Sequence, residues 1–387
     1  MTPSIDEYRT GRRFILCDLL CRSDLINSPI VVIDVGAHDA FSDPRWTKIQ
    51  HDKIRVHGFE PDIEECTALN ETARAAGLDF HFHPTALAGR TGPAEFHRFA
   101  EPAANSFYAP NQRLIKRWCY GRSLPLTLQF VLKEKSSIQA ISLDDWARTN
   151  GVNDIDFIKL NVQGAELDVI SGAGARLNDV LGMVVEQTFT PTYIGAPMFG
   201  KVYDFIENAG FCMFDVAGMN RVARTNSPIH VTEDKIFVVS GIWPHHQFFE
   251  GHFFYMRDLL LNDETWNEGR SPPLEKCFKL ACISEIFGQI EYAFEILEWI
   301  ATSPGAGLVA APTRKVIDQG AAIYRKASAG IDEIEADMNL HEHSIADLCI
   351  GGLASVADRV ASIFARSANK LRRQRTRYRA SRFRERD

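Results

Sequence analysis

The first residues able to do chemistry stand at the ends of apolar runs. Residues 30–36 read IVVIDVG and lead into Ala37, His38 and Asp39. Residues 54–60 read IRVHGFE and lead into Pro61 and Asp62. A glycine turn beside a run closed by an acid suits a nucleoside cofactor, because the acid can accept from a ribose diol. The same two residues can also simply end two strands. Two cofactors carry that diol. A dinucleotide wants G-x-G-x-x-G under its pyrophosphate. GAHDAFSDPRW has one glycine, with no other before Gly58, and its Asp39 and Asp43 would repel a pyrophosphate. S-adenosylmethionine has no phosphate, and its sulfonium tolerates carboxylates. The residues therefore favour S-adenosylmethionine over a dinucleotide.

The elements that must hold these residues alternate regularly. IVVIDVG is a β-branched apolar run of the kind buried in a parallel sheet. Asp62 is a plausible N-cap for the helical stretch to Gly77, and a third strand follows at 78–87. Residues 90–140 hold Gly92, Pro93, Pro102, Pro110 and Pro125 and read as loops with short strands. SLDDWARTNG is a helix capped by Ser142 and stopped by Gly151. Strands follow at 155–161, 182–189, 211–216 and 234–240, with helices at 164–174 and 198–210. This pattern predicts an α/β, doubly wound, mostly parallel sheet. The last two strands have no helix between them and should pair antiparallel at its edge. Ligands bind such sheets beyond the carboxyl ends of the strands, where the strand order reverses. That rule adds Thr85, Ala86, Asn161, Gln163, Gly164 and Glu186 to the candidates.

Beyond Gly241 the spacing turns helical, at 246–265, 274–301, 313–328, 331–349 and 353–380. LACISEIFGQIEYAFEILEWIA resembles a tetratricopeptide helix pair but has no second copy at a fixed period. The expected organisation is an N-terminal helical segment at 1–29, a sheet domain at 30–241, a helical region at 242–365 and a basic tail at 366–387. The sheet domain is expected to fold without residues 242–387.

Composition narrows the class. The chain has 387 residues, 45% hydrophobic and 24% charged, with a net charge of −7, which excludes disorder over most of its length. Residues 366–387 hold ten Lys/Arg against two Asp/Glu, so a +8 tail follows a body of −15. The tail is read first as a solvated end, then as a contact for anionic lipid heads or lipid-linked glycans, and last as a nucleic-acid arm. Eight cysteines without a CxxC pair fit reduced thiols in a cytoplasmic protein. There is no apolar run of membrane-spanning length and no signal-peptide pattern. His245-His246 with His252, and His341-Glu342-His343, lack the spacing of a ligand set, and no metal is assigned.

DVGAHDAFSDPRW, HGFEPDIEECTALN, ISLDDWARTNGVNDIDFIKLNVQGAELDVISGAG and VVEQTFTPTYIGAPMFGKVYDFIENAGF resemble FkbM-type methyltransferases in order and spacing. The resemblance covers about residues 30–240. It implies the class I, Rossmann-like methyltransferase fold and S-adenosylmethionine as donor. It also implies O-methylation of a hydroxyl on a sugar, glycolipid or secondary metabolite. Carried over by position, it puts Asp34 and Gly36 in the first cofactor loop and Glu60 on the ribose, with His38 where the family often has Asn or Arg. Ala37 and His38 are cofactor candidates by their place after the first strand. Asn105-Ser106 resembles the small polar pair ahead of the adenine and substrate region. The family's K-[IL]-D-x-[EQ]-G-x-E motif reads Lys159, Leu160, Asn161, Val162, Gln163, Gly164, Ala165, Glu166, with Asn161 in place of the usual Asp. That change removes a possible general base, and His38 and Glu186 are the neighbouring candidates. The leading expectation is an O-methyltransferase that relies on alignment. The alternatives are a methyltransferase-like scaffold that has lost its chemistry and, behind it, an NAD(P)-dependent oxidoreductase.

Overall fold

The computed structural model describes residues 13–41, 44–120, 124–225, 246–261, 272–303 and 306–328. The chain enters through α1 (Ile15–Arg22) and β1 (Ile30–Val35), and β1 is buried along its whole length. Next come β2 (Ile54–Phe59), α2 (Ile63–Ala75) and β3 (Phe80–His83). Asp62 caps α2 by accepting from the amides of Glu64 and Glu65, and Gly77 leaves the helix at φ 66°. The expected strand at 78–87 divides in two. Its first half is β3, and Ala86–Leu87 (β4) crosses into a second sheet.

That second sheet accounts for much of the irregular stretch 90–140. It consists of β4, β5 (Gly92–Phe99) and β8 (Leu132–Ile141), in the order β4-β8-β5. Between β5 and β8 lie α3 (Gln112–Ile115) and the short hairpin β6 (Trp118–Tyr120) and β7 (Leu124–Pro125). The chain then alternates through α4 (Leu143–Asn150), β9 (Phe157–Leu160), α5 (Glu166–Ser171), β10 (Gly182–Thr188) and α6 (Phe199–Asn208). Ser142 caps α4, and Gly151 ends it at φ 67°.

The next two strands, β11 (Cys212–Arg224) and β12 (Gln247–Met256), complete the main sheet. Its nine strands run β3-β2-β1-β9-β10-β12-β11-β6-β7. The five from β3 to β10 are parallel, and the pairs from β10 onward are antiparallel. The order reverses at β1 and β9, so the switch point lies between them. One core packs Ile33, Phe59, Ile158 and Val185 with Trp146 of α4 and Ile206 of α6.

Two expectations fail here. Residues 246–265 were expected to be helical, but 247–256 form a central strand. QFFEGHFFYM is an unbroken aromatic run, which periodicity alone cannot separate from a buried helix. Aromatic side chains and the close approach at Gly251 favour a strand: a Cβ there would lie 2.6 Å from Met219 Sδ and 2.9 Å from Gly218 O. The boundary expected at 241/242 therefore precedes a strand of the sheet, and the sheet is incomplete without residues beyond it. β11 pairs antiparallel with β12 rather than with the expected 234–240, and β6 and β7 continue the sheet beyond β11. The segment 234–240, the helices at 331–349 and 353–380, and the basic tail lie outside the described residues.

Three helices follow in the chain, α7 (Leu274–Ile286), α8 (Ile290–Thr302) and α9 (Ala310–Ser328). The region read as helical at 274–301 is thus a helix pair, turned at Gly288 with φ 81°. Residues up to Ile323 form one compact unit, and a second begins at Tyr324. The first of these helices is bound to the sheet by charge. Lys276 and Lys279 reach Asp156 at 2.7 and 2.9 Å, at the amino end of β9. Asp156 also accepts from the Val31 amide of β1 at 2.9 Å. Glu285 accepts from the amides of Ile15, Leu16 and Cys17 at 2.7, 2.9 and 2.8 Å, so a residue of α7 caps α1. Phe287 stacks on Phe254 and Phe157, with ring centroids 4.3 and 4.9 Å apart.

Candidate active site

A cleft of about 740 Å³, its open mouth included, lies at the carboxyl ends of β1, β2 and β9. This is the switch point, where an open α/β sheet leaves a crevice because its loops diverge. Gly36 fixes its floor. The residue has φ 74°, and a Cβ there would stand 1.9 Å from the Asn161 carbonyl oxygen. Only glycine allows the end of β1 to come so close to the end of β9. Lys159 secures the same contact from β9, pairing with Asp34 at 2.9 Å and donating to Gly36 O at 2.8 Å.

Glu60 lines the opposite wall. Its Oε1 accepts from the Asp62 amide at 2.9 Å, which leaves Oε2 as an acceptor for a ligand. Burial raises its pKa above the usual carboxylate value. His38 and Pro61 line the cleft nearby, and His38 Nδ1 lies 3.8 Å from Glu65 Oε1. The far wall comes from the second sheet and its loop: Phe96, Pro102, Ala103, Asn105 and Phe107. Phe96 and Phe107 meet edge to face, with centroids 5.4 Å apart.

Beneath the cleft, the loop after β9 is held in a strained form. Gln163 has φ 54° and Gly164 φ 99°. Glu166 supports this turn by accepting from the amides of Val162 and Gly164. It is 3% exposed, and burial pushes its pKa up to about 7. Glu186, 4% exposed, accepts from Gln163 Nε2 at 2.6 Å. Burial, then Glu250 and Glu166, hold it well above the usual carboxylate range.

Of the residues singled out in the sequence, the cleft gathers Gly36, His38, Glu60, Pro61, Ala86, Asn105, Asn161 and Gln163 along its wall. Six do not line it. Asp34 is committed to Lys159, and Ala37 is wholly buried. Asp62 spends its side chain on the helix cap. Thr85 forms a turn onto His83 O. Ser106 is buried behind the wall, donating to Gln163 O at 2.6 Å. Glu186 reaches the cleft only through Gln163. Asn105 lines the cleft, but its Oδ1 is engaged by the Phe99 amide.

Sequence reading assigned no role to Lys159, although it begins the quoted motif. It also missed Phe96 and Phe107, which sit where no periodicity marked the strands, and His252, which lay in a segment read as helix. His252 Nε2 lies 3.5 Å from Glu186 Oε1. Among the described residues, no cluster of His, Cys, Asp and Glu has a metal-binding arrangement.

The strand order, the switch-point cleft and the glycine–acid pair define a class I, Rossmann-like methyltransferase fold. Residues 34–213, a little under half of the chain, match the Methyltransferase FkbM domain. The 2-O-methyltransferase NoeI of Sinorhizobium fredii (strain NBRC 101917 / NGR234) is 26% identical over 178 residues, which are 46% of this chain and 70% of that protein. A crystal structure of Methyltransferase FkbM from Methylobacillus flagellatus KT is 14% identical with a TM-score of 0.31. The match covers 64% of this chain and half (50%) of that one. The structure of M. capricolum TrmK in complex with S-adenosyl-homocysteine is 7% identical with a TM-score of 0.29, over 80% of this chain and 96% of that one.

Proposed function

We propose that the cleft binds S-adenosylmethionine and directs its methyl group to a hydroxyl of a sugar, glycolipid or related metabolite. The observation that carries this reading is the pairing of the Gly36 cradle with Glu60 across one cleft at the switch point. The residues fit the cofactor. Gly36 lets the ends of β1 and β9 close into the cleft floor, and Glu60 offers a carboxylate oxygen to a ribose diol. Phe96 and Phe107 supply an apolar wall for a flat ring. When bound, the cofactor supplies an electrophilic methyl group on a sulfonium. NoeI is by name a 2-O-methyltransferase, which supports oxygen as the acceptor atom.

The titratable side chains that line the cleft are His38, Glu60 and Lys159. Lys159 is committed to Asp34 and Gly36, and Glu60 is assigned to the ribose. His38 is then the group placed to take the hydroxyl proton, while Asn161 orients the reacting groups. Alignment supplies much of the rate in such an in-line displacement. Cys17, Cys21, Cys66, Cys212, Cys277 and Cys282 form no disulfide, which supports a cytoplasmic setting. The basic tail keeps its first reading as a solvated end, with anionic lipid heads or lipid-linked glycans as the next.

Calorimetry with S-adenosylhomocysteine tests the cofactor. The chain should bind it, and Glu60→Ala should weaken binding by about 1.5–3 kcal/mol, the range for a hydrogen bond to a charged group. No binding to the wild type refutes the reading. Labelled methyl transfer to a panel of glycans then tests the acceptor. A chain that binds but transfers nothing, while Asn161→Asp transfers, points to the scaffold alternative.

A further inference from the structure

A chain of polar groups leads from the cleft into the protein. Gln163 Nε2 lies 2.8 Å from Asn161 Oδ1 and 2.6 Å from Glu186 Oε2. Gln163 Oε1 lies 3.0 Å from the Tyr193 hydroxyl, which is 2.9 Å from Ala104 O. With Glu186 ionised, this chain has one consistent arrangement. A carboxylate only accepts, so Gln163 turns its NH₂ toward Glu186 and Asn161. Asn161 then points its oxygen inward and its NH₂ toward the cleft.

With Glu186 protonated, a second arrangement satisfies every group. The carboxylic acid donates to a Gln163 oxygen that has taken the place of Nε2. The Gln163 NH₂ then donates to the Tyr193 oxygen, whose own proton goes to Ala104 O. Asn161 must now donate inward, and its carbonyl faces the cleft. The exchange requires half-turns of two amides whose two ends have nearly the same shape.

We propose that Glu186 is a positioning residue that acts through Gln163 to set whether Asn161 shows a donor or an acceptor to the cleft. An acceptor competes with His38 for the proton of an incoming hydroxyl but leaves the oxygen lone pairs free for the methyl carbon. A donor occupies one of those lone pairs. This consequence rests on the methyltransferase reading; the amide exchange itself does not. The groups around Glu186 are Glu250 and His252 of β12, Glu166 of α5, Lys159 of β9 and Gln163. Burial comes first, then Glu250 and Glu166, in opposing its charge, while Lys159 and Gln163 favour it. His252 is itself held below its ordinary pKa by burial, then by Lys159 and Arg45.

Nitrogen-15 NMR of the side-chain amides in the full chain tests the proposal without any ligand. The Asn161 signal is identified by its loss in Asn161→Asp. As pH rises above the ordinary carboxylate range, wild-type Asn161 and Gln163 signals should move together in one step. Glu186→Gln should abolish the step. Gln163→Asn, whose shorter amide suits a positive φ but does not bridge both partners, should uncouple Asn161 from it. A flat Asn161 signal in the wild type, or an unchanged step in either variant, overturns the proposal. Adding S-adenosylhomocysteine reads the cleft separately: no response to it counts against the methyltransferase reading and leaves the relay standing.

Discussion

At the amino ends of β1 and β9, the buried acid Asp156 faces Lys276 and Lys279 and accepts from a backbone amide. At the carboxyl end of β9 and on β10, the buried acids Glu166 and Glu186 repel one another and Glu250, with Lys159 as an opposing cation. Both ends pay desolvation, but only the first neutralises its charge. Burial works against the Lys276 charge, yet Asp156 and Asp154 outweigh it and raise its pKa. Burial raises the Glu166 pKa instead, against the backbone amides that favour its ionised form. One end of the sheet is arranged for cohesion. The other holds carboxyl groups with raised pKa values beside a cleft, which is where perturbed groups do chemistry.

The largest test of this contrast is Asp156→Ala. Asp156 is 0% exposed and Lys279 has a side chain 1% exposed, so the substitution leaves a buried cation without its main partner. The expected loss is about 3–5 kcal/mol, read from urea unfolding. Asp154 also pairs with both lysines, but its side chain is 46% exposed. Asp154→Ala should therefore cost no more than about 1 kcal/mol. Similar losses in the two variants would mean that the amino-end network is a surface feature.

The next test uses pH. Glu166 has its pKa raised from 4.5 to about 7 in the folded chain. Below the unfolded value both states are protonated and nothing is lost. As pH rises through the folded value, the unfolded chain gains from ionising earlier, and folding loses roughly 3 kcal/mol to this group. Glu60 and Glu186 are shifted the same way and add to the slope. Denaturation followed across this range should show wild-type stability falling, and Glu166→Gln should flatten the curve. A wild type whose stability rises with pH over that window would contradict the carboxyl-end description.

Gly36→Ala probes the cleft floor. The new Cβ meets the Asn161 carbonyl at 1.9 Å and sits at φ 74°, a conformation that costs about 1–3 kcal/mol for a residue with a side chain. Binding of S-adenosylhomocysteine should fall more than stability does, because β1 and β9 must separate at the cleft. Unchanged affinity would remove Gly36 from the cofactor loop.

These tests also mark what the sequence could convey. Gly36 and Glu60 were legible because each ends an apolar strand, and the switch-point rule needs only strand ends. Asp62, Ser142 and Gly151 were legible because capping is local. Residues 247–256 were not, since an aromatic run fits a buried strand as well as a buried helix. The second sheet was hidden by a strand of two residues, Ala86–Leu87, too short for any period. The network beneath the cleft was hidden for another reason. It depends on a left-handed backbone at Gln163 and on His252 from a strand more than sixty residues beyond Glu186.

The smallest expected effect separates two acids that stand two residues apart. Glu60 and Asp62 both follow β2, and position alone assigned both to the cofactor. In the structure the Asp62 carboxylate accepts from the amides of Glu64 and Glu65 and leaves the cleft wall to Glu60. The Asp62 backbone amide, not its side chain, holds Glu60 Oε1. Asp62→Ala should therefore cost about 1 kcal/mol of stability, the usual loss for an N-cap. Its affinity for S-adenosylhomocysteine should stay close to that of the wild type, because the amide that orients Glu60 remains. Unfolding and calorimetry on the same variant decide the matter. A loss of affinity as large as that of Glu60→Ala would make the Asp62 side chain a ligand contact after all. A change in stability alone would show that this carboxyl end also contains an acid spent wholly on local structure.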